Sequence, residues 1–280
     1  MRRSLTFAAV AAVLSQTEGH DYPFVRSETR VLEDGSSYAY LNDLSSYSTQ
    51  YSKCVRAKIQ DDNDDQQEGN SYFVNGRYHA QYKTFASFVL CEDNGSSCGT
   101  CDYNTHYVTD LDTYLDSTIT SIQEVCQACA NQCGRRNLED GGNDVVANCN
   151  TCVSECSLIN YGNGGEDETE YMACQAAYAD ENSGIQYYSG PTCDSSGGLV
   201  IGLFYDEDCT VKTGSELDNG FSYDTFKTVE TFCGSCSTGM CDDLYPYALH
   251  CFGAYNMNAN AAEDGDGVNS KSICKAAAQK

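Results

Sequence analysis

The sequence predicts a disulfide-rich α+β protein, with a helical hairpin cross-linked by cysteines beside a small antiparallel sheet. Three observations predict it. The run Cys126-x2-Cys129-x3-Cys133 returns as Cys149-x2-Cys152-x3-Cys156, with a Gly141-Gly142 turn between the two. Cysteines at i, i+3 and i+7 share one helical face. Beyond residue 184, β-branched and aromatic runs are separated by Ser/Gly turns.

Residues 1–19 read as a secretory signal peptide: Arg2 and Arg3 precede a short apolar run, and small residues follow. Residues 20–50 show no period and read as a flexible N-terminal arm. Residues 51–255 form the cysteine-rich α+β domain, which carries an acidic loop from Asp61 to Glu68. Asn75-Gly76 is a hairpin signal between Tyr72-Phe73-Val74 and Arg77-Tyr78, while Tyr82, Phe85, Phe88 and Val89 equally suit a short helix.

Leu111, Leu115, Ile119, Ile122, Cys126, Cys129 and Cys133 make the seam of an amphipathic helix. Val145, Cys149, Cys152, Cys156 and Ile159 repeat that spacing in a partner helix. An antiparallel register pairs Cys126 with Cys156, Cys129 with Cys152 and Cys133 with Cys149. That register requires unusually close helices, because a disulfide holds Cα atoms within about 7 Å whereas helices pack about 8–10 Å apart.

A short helix is expected over residues 168–178. Strands are expected at Ile185-Gln-Tyr-Tyr188, Leu199 to Tyr205 and Cys209 to Thr213, and a closing helix over residues 242–251. Residues 256–280 read as a low-complexity, mobile tail apart from Cys274.

Eighteen cysteines, an even number, suit nine disulfides in an oxidising compartment. A formal charge of −25 argues against nucleic acid and anionic membrane as partners. It favours cations, basic proteins, glycan or other extracellular matrix components. No segment after the signal is apolar enough to span a membrane.

The motifs that suggest chemistry have simpler readings. Cys126, Cys129, Cys149 and Cys152 have the spacing of a four-thiolate zinc site, but a secreted, cysteine-dense chain favours disulfides. Cys98-Gly-Thr-Cys101 and Cys233-Gly-Ser-Cys236 resemble redox pairs, yet lack the strand-to-helix context that lowers a thiol pKa. Cys193-Asp-Ser-Ser-Gly-Gly-Leu-Val200 has the flavour of a serine-protease nucleophile stretch without the matching histidine context, and reads as a hairpin turn.

Asp206-Glu207-Asp208 and Asp264-Gly-Asp266 are candidates for weak calcium binding, though solvated turns are the simpler reading. No cofactor is expected otherwise, and no residue carries a catalytic assignment. Two other function classes stay open, a carboxylate-based secreted hydrolase and a carbohydrate or small-ligand binding module. Twenty-one tyrosines and no tryptophan fill cores and sheet faces and leave a surplus for an interaction surface. Asn94-Gly-Ser96 is a glycosylation candidate, and the shared Arg-x-Leu at Arg30 and Arg136 marks processing candidates.

Tyr82-Lys-Thr-Phe-Ala-Ser-Phe-Val-Leu-Cys91, the cysteine hairpin, and Tyr188-Ser-Gly-Pro-Thr-Cys193 through Ile201-Gly-Leu-Phe-Tyr-Asp-Glu-Asp-Cys209 resemble secreted cysteine- and tyrosine-rich proteins of diatoms and related algae. The resemblance covers about residues 50–255 and is to a family with no assigned reaction. It implies an extracellular or cell-surface location. The Arg-x-Leu sites are similar to the processing signal of algal silica-associated cell-wall proteins. Together these readings point to a non-enzymatic structural or interaction component of an extracellular matrix, cell wall or cell surface.

Overall fold

The computed structural model describes residues 27–31, 37–59, 71–94, 98–133, 156, 171–214, 224–253, 255–256 and 268–279. Its centre is a seven-stranded antiparallel sheet, larger than the small sheet expected. Two hairpins precede or flank it in the chain: β1 (Ser27–Val31) with β2 (Ser37–Leu41), and β4 (Ser71–Val74) with β5 (Arg77–Ala80). The long strands β3 (Tyr47–Lys58) and β6 (Tyr82–Asp93) pair from Tyr47↔Glu92 to Lys58↔Tyr82, with an irregularity between Tyr51 and Lys53.

β7 (Cys98–Cys101) and β8 (Thr105–Asp110) both pair with β6. β13 (Leu249–Phe252) pairs with β8, β14 (Tyr255–Asn256) with β13, and β12 (Cys233–Ser235) with β3. A separate three-stranded sheet has the order β11 (Leu199–Phe204), β10 (Gln186–Cys193), β9 (Gln175–Ala179).

Helices cover the large sheet on both faces. On one, α1 (Leu111–Cys133) lays down Leu111, Leu115, Ile119, Ile122 and Cys126 against Ala86, Phe88 and Leu90. α2 (Asp224–Thr231) and α3 (Met240–Leu244) complete that core with Phe226, Val229, Met240 and Leu244. On the other face, α4 (Ser270–Ala278) packs Ile273, Cys274 and Ala277 against Val55, Phe85, Val108 and Leu249. Each fully buried aliphatic or aromatic side chain contributes about 1.5–3 kcal/mol of transfer free energy.

This double covering explains β6. Residues 85–91 are all buried, so polar–apolar alternation disappears and a strand cannot be told from a buried helix by pattern. α1 starts where Asp110 ends β8, and Asp112 in its first turn sits at the positive end of the helix dipole. The expected seam from Leu111 to Cys129 is buried. The partner helix of the hairpin lies outside the described residues except for Cys156.

Several expectations are corrected. Within residues 168–178 the described part is a turn over 171–174 followed by 175–178 of strand β9, not a helix, because the strand's backbone pairs with β10. Over residues 242–251 the chain leaves α3 after Leu244 and returns to the sheet as β13. Residues 209–213 contribute a single bridge, Lys212 with Phe204, rather than a strand. Residues 20–50 contain β1, β2 and the start of β3, not only a flexible arm. The tail carries α4, whose Asn269 side chain accepts a hydrogen bond from the Ser272 amide at 3.2 Å.

Seven bridges tie these layers: Cys54–Cys193, Cys91–Cys101, Cys98–Cys233, Cys126–Cys156, Cys174–Cys209, Cys236–Cys241 and Cys251–Cys274. Cys129 and Cys133 are disulfide-bonded as well. Extensive disulfides are consistent with a secreted or extracellular protein. Among the described residues no helix is long and apolar enough to cross a membrane.

Candidate functional site

The most distinctive surface begins at the β4–β5 hairpin. Asn75 and Gly76 adopt φ of 54° and 76°, the left-handed pair that a two-residue turn of this kind requires. Cross-strand partners then share a face: Tyr72 opposes His79, and Phe73 opposes Tyr78.

The Tyr72/His79 face docks on Tyr205. The Tyr72 hydroxyl donates to the Tyr205 carbonyl at 3.1 Å, and the His79 and Tyr205 rings lie 5.6 Å apart. Asn75 Nδ2 donates to the Tyr205 hydroxyl at 3.3 Å. The opposite face is thereby turned outward, with Phe73 59% and Tyr78 69% exposed and their rings 4.9 Å apart.

The second sheet extends this surface. Tyr187 lies 5.6 Å from Tyr205 and stacks on Tyr178 of β9 at 4.9 Å with an interplanar angle of 28°. Tyr178 is 49% exposed. Burial first, then the fields of Tyr205, Tyr178 and Asp180, push the Tyr187 phenol up. Burial, Asp206, Tyr188 and Glu207 do the same for Tyr72. Both phenols stay protonated; the Tyr72 O–H is committed to the Tyr205 carbonyl, and its oxygen remains an acceptor. Exposed rings, neutral hydroxyls and nearby carboxylates can stack on sugar faces and hydrogen-bond sugar hydroxyls, or receive cationic side chains.

A smaller groove of about 560 Å³ contains Asp110, Asp112 and Asp208. Asp110 is ion-paired with Lys83 at 3.0 Å. The Asp112 residue is largely exposed, yet its carboxyl is set into the groove. Burial there and the charge of Asp110 push it up, against Lys83. Both carboxylates have a structural role at the start of α1.

The remaining residues singled out by sequence resolve as follows. The two C-x2-C pairs are split: Cys98 joins Cys233, Cys101 joins Cys91, and Cys236 joins Cys241. Cys126 is bonded to Cys156, and Cys129 is also in a disulfide, so neither is a thiolate ligand. Cys149, Cys152 and Arg136 lie outside the described residues. Among the described residues no three His, Cys, Asp or Glu side chains are grouped as a metal site needs.

Asp206 is buried, and its carboxylate accepts from Thr210 N, Thr210 Oγ1 and Val211 N, which closes its own loop. Asp194 accepts from Ser196 and Gly198, which makes residues 194–198 the β10–β11 turn. Asn94 is exposed at the end of β6. Arg30 lies within β1, paired with Tyr38.

The tyrosine surplus is legible in the sequence, but its location is not. The hairpin signal at Asn75-Gly76 was the available clue, because period-two alternation puts Phe73 and Tyr78 on one face. Comparison with protein-family models, curated proteins and solved structures finds no match to this chain.

Proposed function

We propose that the chain is a non-enzymatic extracellular protein held in a matrix, wall or cell coat by its aromatic face, which engages glycan. The observation that carries this reading is the outward pair Phe73 and Tyr78 beside the stack of exposed Tyr178 on half-buried Tyr187. Rings placed on short strands tied down at Tyr205 bind with little loss of side-chain freedom. The seven bridges supply the durability that a permanently extracellular component needs. The resemblance to secreted algal proteins favours a cell covering as the location.

The test has two parts. The protein should be retained in the washed cell covering rather than released as free monomer into clarified medium. In vitro it should co-sediment with insoluble covering polysaccharide, and F73A/Y78A should lower retention about tenfold, each stacked ring contributing roughly 0.5–1.5 kcal/mol. Unchanged retention by F73A/Y78A refutes the aromatic attachment. Displacement by a basic peptide but not by soluble glycan would move the partner from glycan to a cationic protein.

A further inference from the structure

A second and larger cleft, of about 1260 Å³, opens where β3, the β10–β11 turn and the end of α4 meet. A typical small-molecule pocket has about 300–1000 Å³, so this one has room for an oligomer. Two disulfides fix its walls: Cys54–Cys193 joins β3 to β10, and Cys251–Cys274 joins β13 to α4. The cleft is therefore preorganised.

The charged side chains of the cleft are already engaged inside the protein. Lys53 Nζ donates to the Gln279 carbonyl at the end of α4, and Lys212 Nζ to the Cys193 carbonyl at 3.3 Å. Arg56 Nη2 donates to the Thr210 carbonyl at 3.3 Å, and its guanidinium lies 5.0 Å from the centre of the Tyr82 ring. Asp194 turns its carboxylate into its own loop, where Oδ1 accepts from Ser196 and Gly198. Cations and a carboxylate thus share the cleft, each with partners of its own, and no single sign of charge selects the ligand.

The groups left for a ligand are neutral. Among the described residues no partner engages Ser52 Oγ, the Asn104 carboxamide or Ser195 Oγ, all of which line the cleft. The Asn104 backbone amide donates to Asp102 at 2.9 Å, which holds that loop in place. His106 shares Nδ1 with Ser87 Oγ at 3.3 Å, so Nε2 is the nitrogen left for a ligand. Burial and then Lys53 hold the His106 pKa below its ordinary value, against Asp102, so the imidazole is neutral at pH 7. A hydroxyl or carboxamide both donates and accepts, and a neutral imidazole nitrogen does one or the other. Sugar hydroxyls complement such groups without bringing charge into the cleft.

At the rim stand two aromatic rings, Tyr103 (63% exposed) and Phe252 (54% exposed). Phe252 lies opposite Thr105 across β13 and β8, two residues from Tyr103, so both rings belong to one end of the cleft. Rings of this kind stack on the C–H face of a sugar while the polar groups bond its hydroxyl edge.

We propose that this cleft binds a neutral oligosaccharide, its hydroxyls held by Ser52, Asn104, Ser195 and His106 and one sugar ring stacked at the Tyr103–Phe252 rim. The formal charge of −25 disfavours an anionic equivalent at long range. The site is distinct from the aromatic face. Cys193 lines the cleft whereas Tyr187 belongs to that face, and six residues of β10 separate them by about 20 Å at roughly 3.3 Å per residue. The inference therefore does not depend on the attachment proposed above.

The experiment uses the full, oxidised chain and calorimetric titration with neutral hexasaccharides of glucan, mannan and xylan, and with oligogalacturonate of equal length. At least one neutral probe should bind tenfold or more tighter than oligogalacturonate. Y103A/F252A should weaken it tenfold or more and N104A/S195A threefold or more, whereas F73A/Y78A should leave it unchanged. A readout on the unmodified chain removes dependence on folding of the variants. The saturating neutral probe should protect Tyr103 and Phe252 from hydroxyl-radical labelling, read by peptide mass spectrometry, and leave Phe73 and Tyr78 labelled as before. No binding of any neutral probe, equally tight binding of oligogalacturonate, or unchanged affinity in both cleft variants would overturn the proposal. Protection of Phe73 and Tyr78 in place of Tyr103 and Phe252 would also overturn it, and would leave the aromatic face as the glycan site.

Discussion

Gly190 offers a sharp test of how the second sheet is built. It lies on β10 opposite Gly202 of β11, beneath the Cys174–Cys209 bridge. A Cβ at position 190 would sit 2.8 Å from Cys209 Sγ and 3.2 Å from Cys174 Cα. Ordinary nonbonded contacts relax near about 3.5–4.0 Å, so the neighbours must retreat by close to 1 Å. Neither can do so cheaply: the sulfur is held from both ends, and the carbon is backbone.

Gly190→Ala should therefore cost about 2–3 kcal/mol, the upper part of the overpacking range. At roughly 2–4 °C per kcal/mol, Tm falls by about 4–12 °C. Thermal melts followed by far-ultraviolet circular dichroism, disulfides intact, read this directly. The control is the same substitution in C174A/C209A, where the sulfur contact is gone. There the cost should drop below about 1 kcal/mol, giving a coupling that additive sites lack. A strand glycine with room above it is stabilised by alanine, by about 0.5–1 kcal/mol. Stabilisation in the native background, or an equal cost in both backgrounds, would refute the reasoning.

The remaining predictions concern bridges and protonation. C98A/C233A opens a 135-residue loop and C236A/C241A a 5-residue one. Loop entropy sets upper limits of about 5 and about 2 kcal/mol, so denaturant titration should rank the first as more damaging. In C251A/C274A, hydrogen exchange should speed up in α4 and β13 while β6 stays protected; no change in α4 would show that Ile273 and Ala277 hold the helix unaided. His106 is held below its ordinary pKa by burial and by Lys53, with Asp102 opposing. Between that lowered value and about 6.5 the unfolded state binds more protons, so stability should fall as pH drops from 7 through this window. H106Q, still able to bond Ser87, should flatten the dependence, and parallel wild-type and variant curves would contradict it.

What could be read from sequence was what local periodicity controls. The α1 seam was visible because one face alone is buried. The Asn75-Gly76 turn was visible because few residue pairs accept positive φ at both positions. β6 was ambiguous because helices cover both sheet faces. The 168–178 segment read as helix because Gln175, Ala176 and Ala177 favour helix intrinsically, and only pairing of β9 with β10 reverses that preference. α4 was legible and overlooked, since Ile273, Cys274 and Ala277 repeat at helical spacing behind a capping Asn269. The cleft of about 1260 Å³ that Lys53, His106 and Lys212 help to line was invisible in principle, because these residues are far apart in sequence and come to one cleft only through β3–β6–β8 pairing and the Cys54–Cys193 tie.

The C-x2-C motifs show why partner choice needs the fold. Cys98 and Cys101 are close in sequence, but β7 pairs with β6 so that Cys101 stands opposite Cys91, and the two are bridged. Cys98 then reaches Cys233 of β12, which adjoins the other side of β3. A redox pair needs its two sulfurs joined to each other, with one thiolate exposed after reduction. Here each sulfur of the motif cross-links a different strand, so reduction would loosen the sheet edge without creating a dithiol centre. Sixteen described cysteines are disulfide-bonded and none of them is free. The oxidised chain should accordingly take up no thiol alkylator at these positions under native conditions. Mild reduction should release Cys98, Cys101 and Cys233 together with a loss of stability. Selective release of a Cys98–Cys101 or Cys233–Cys236 disulfide, with the fold intact, would instead make those motifs redox centres.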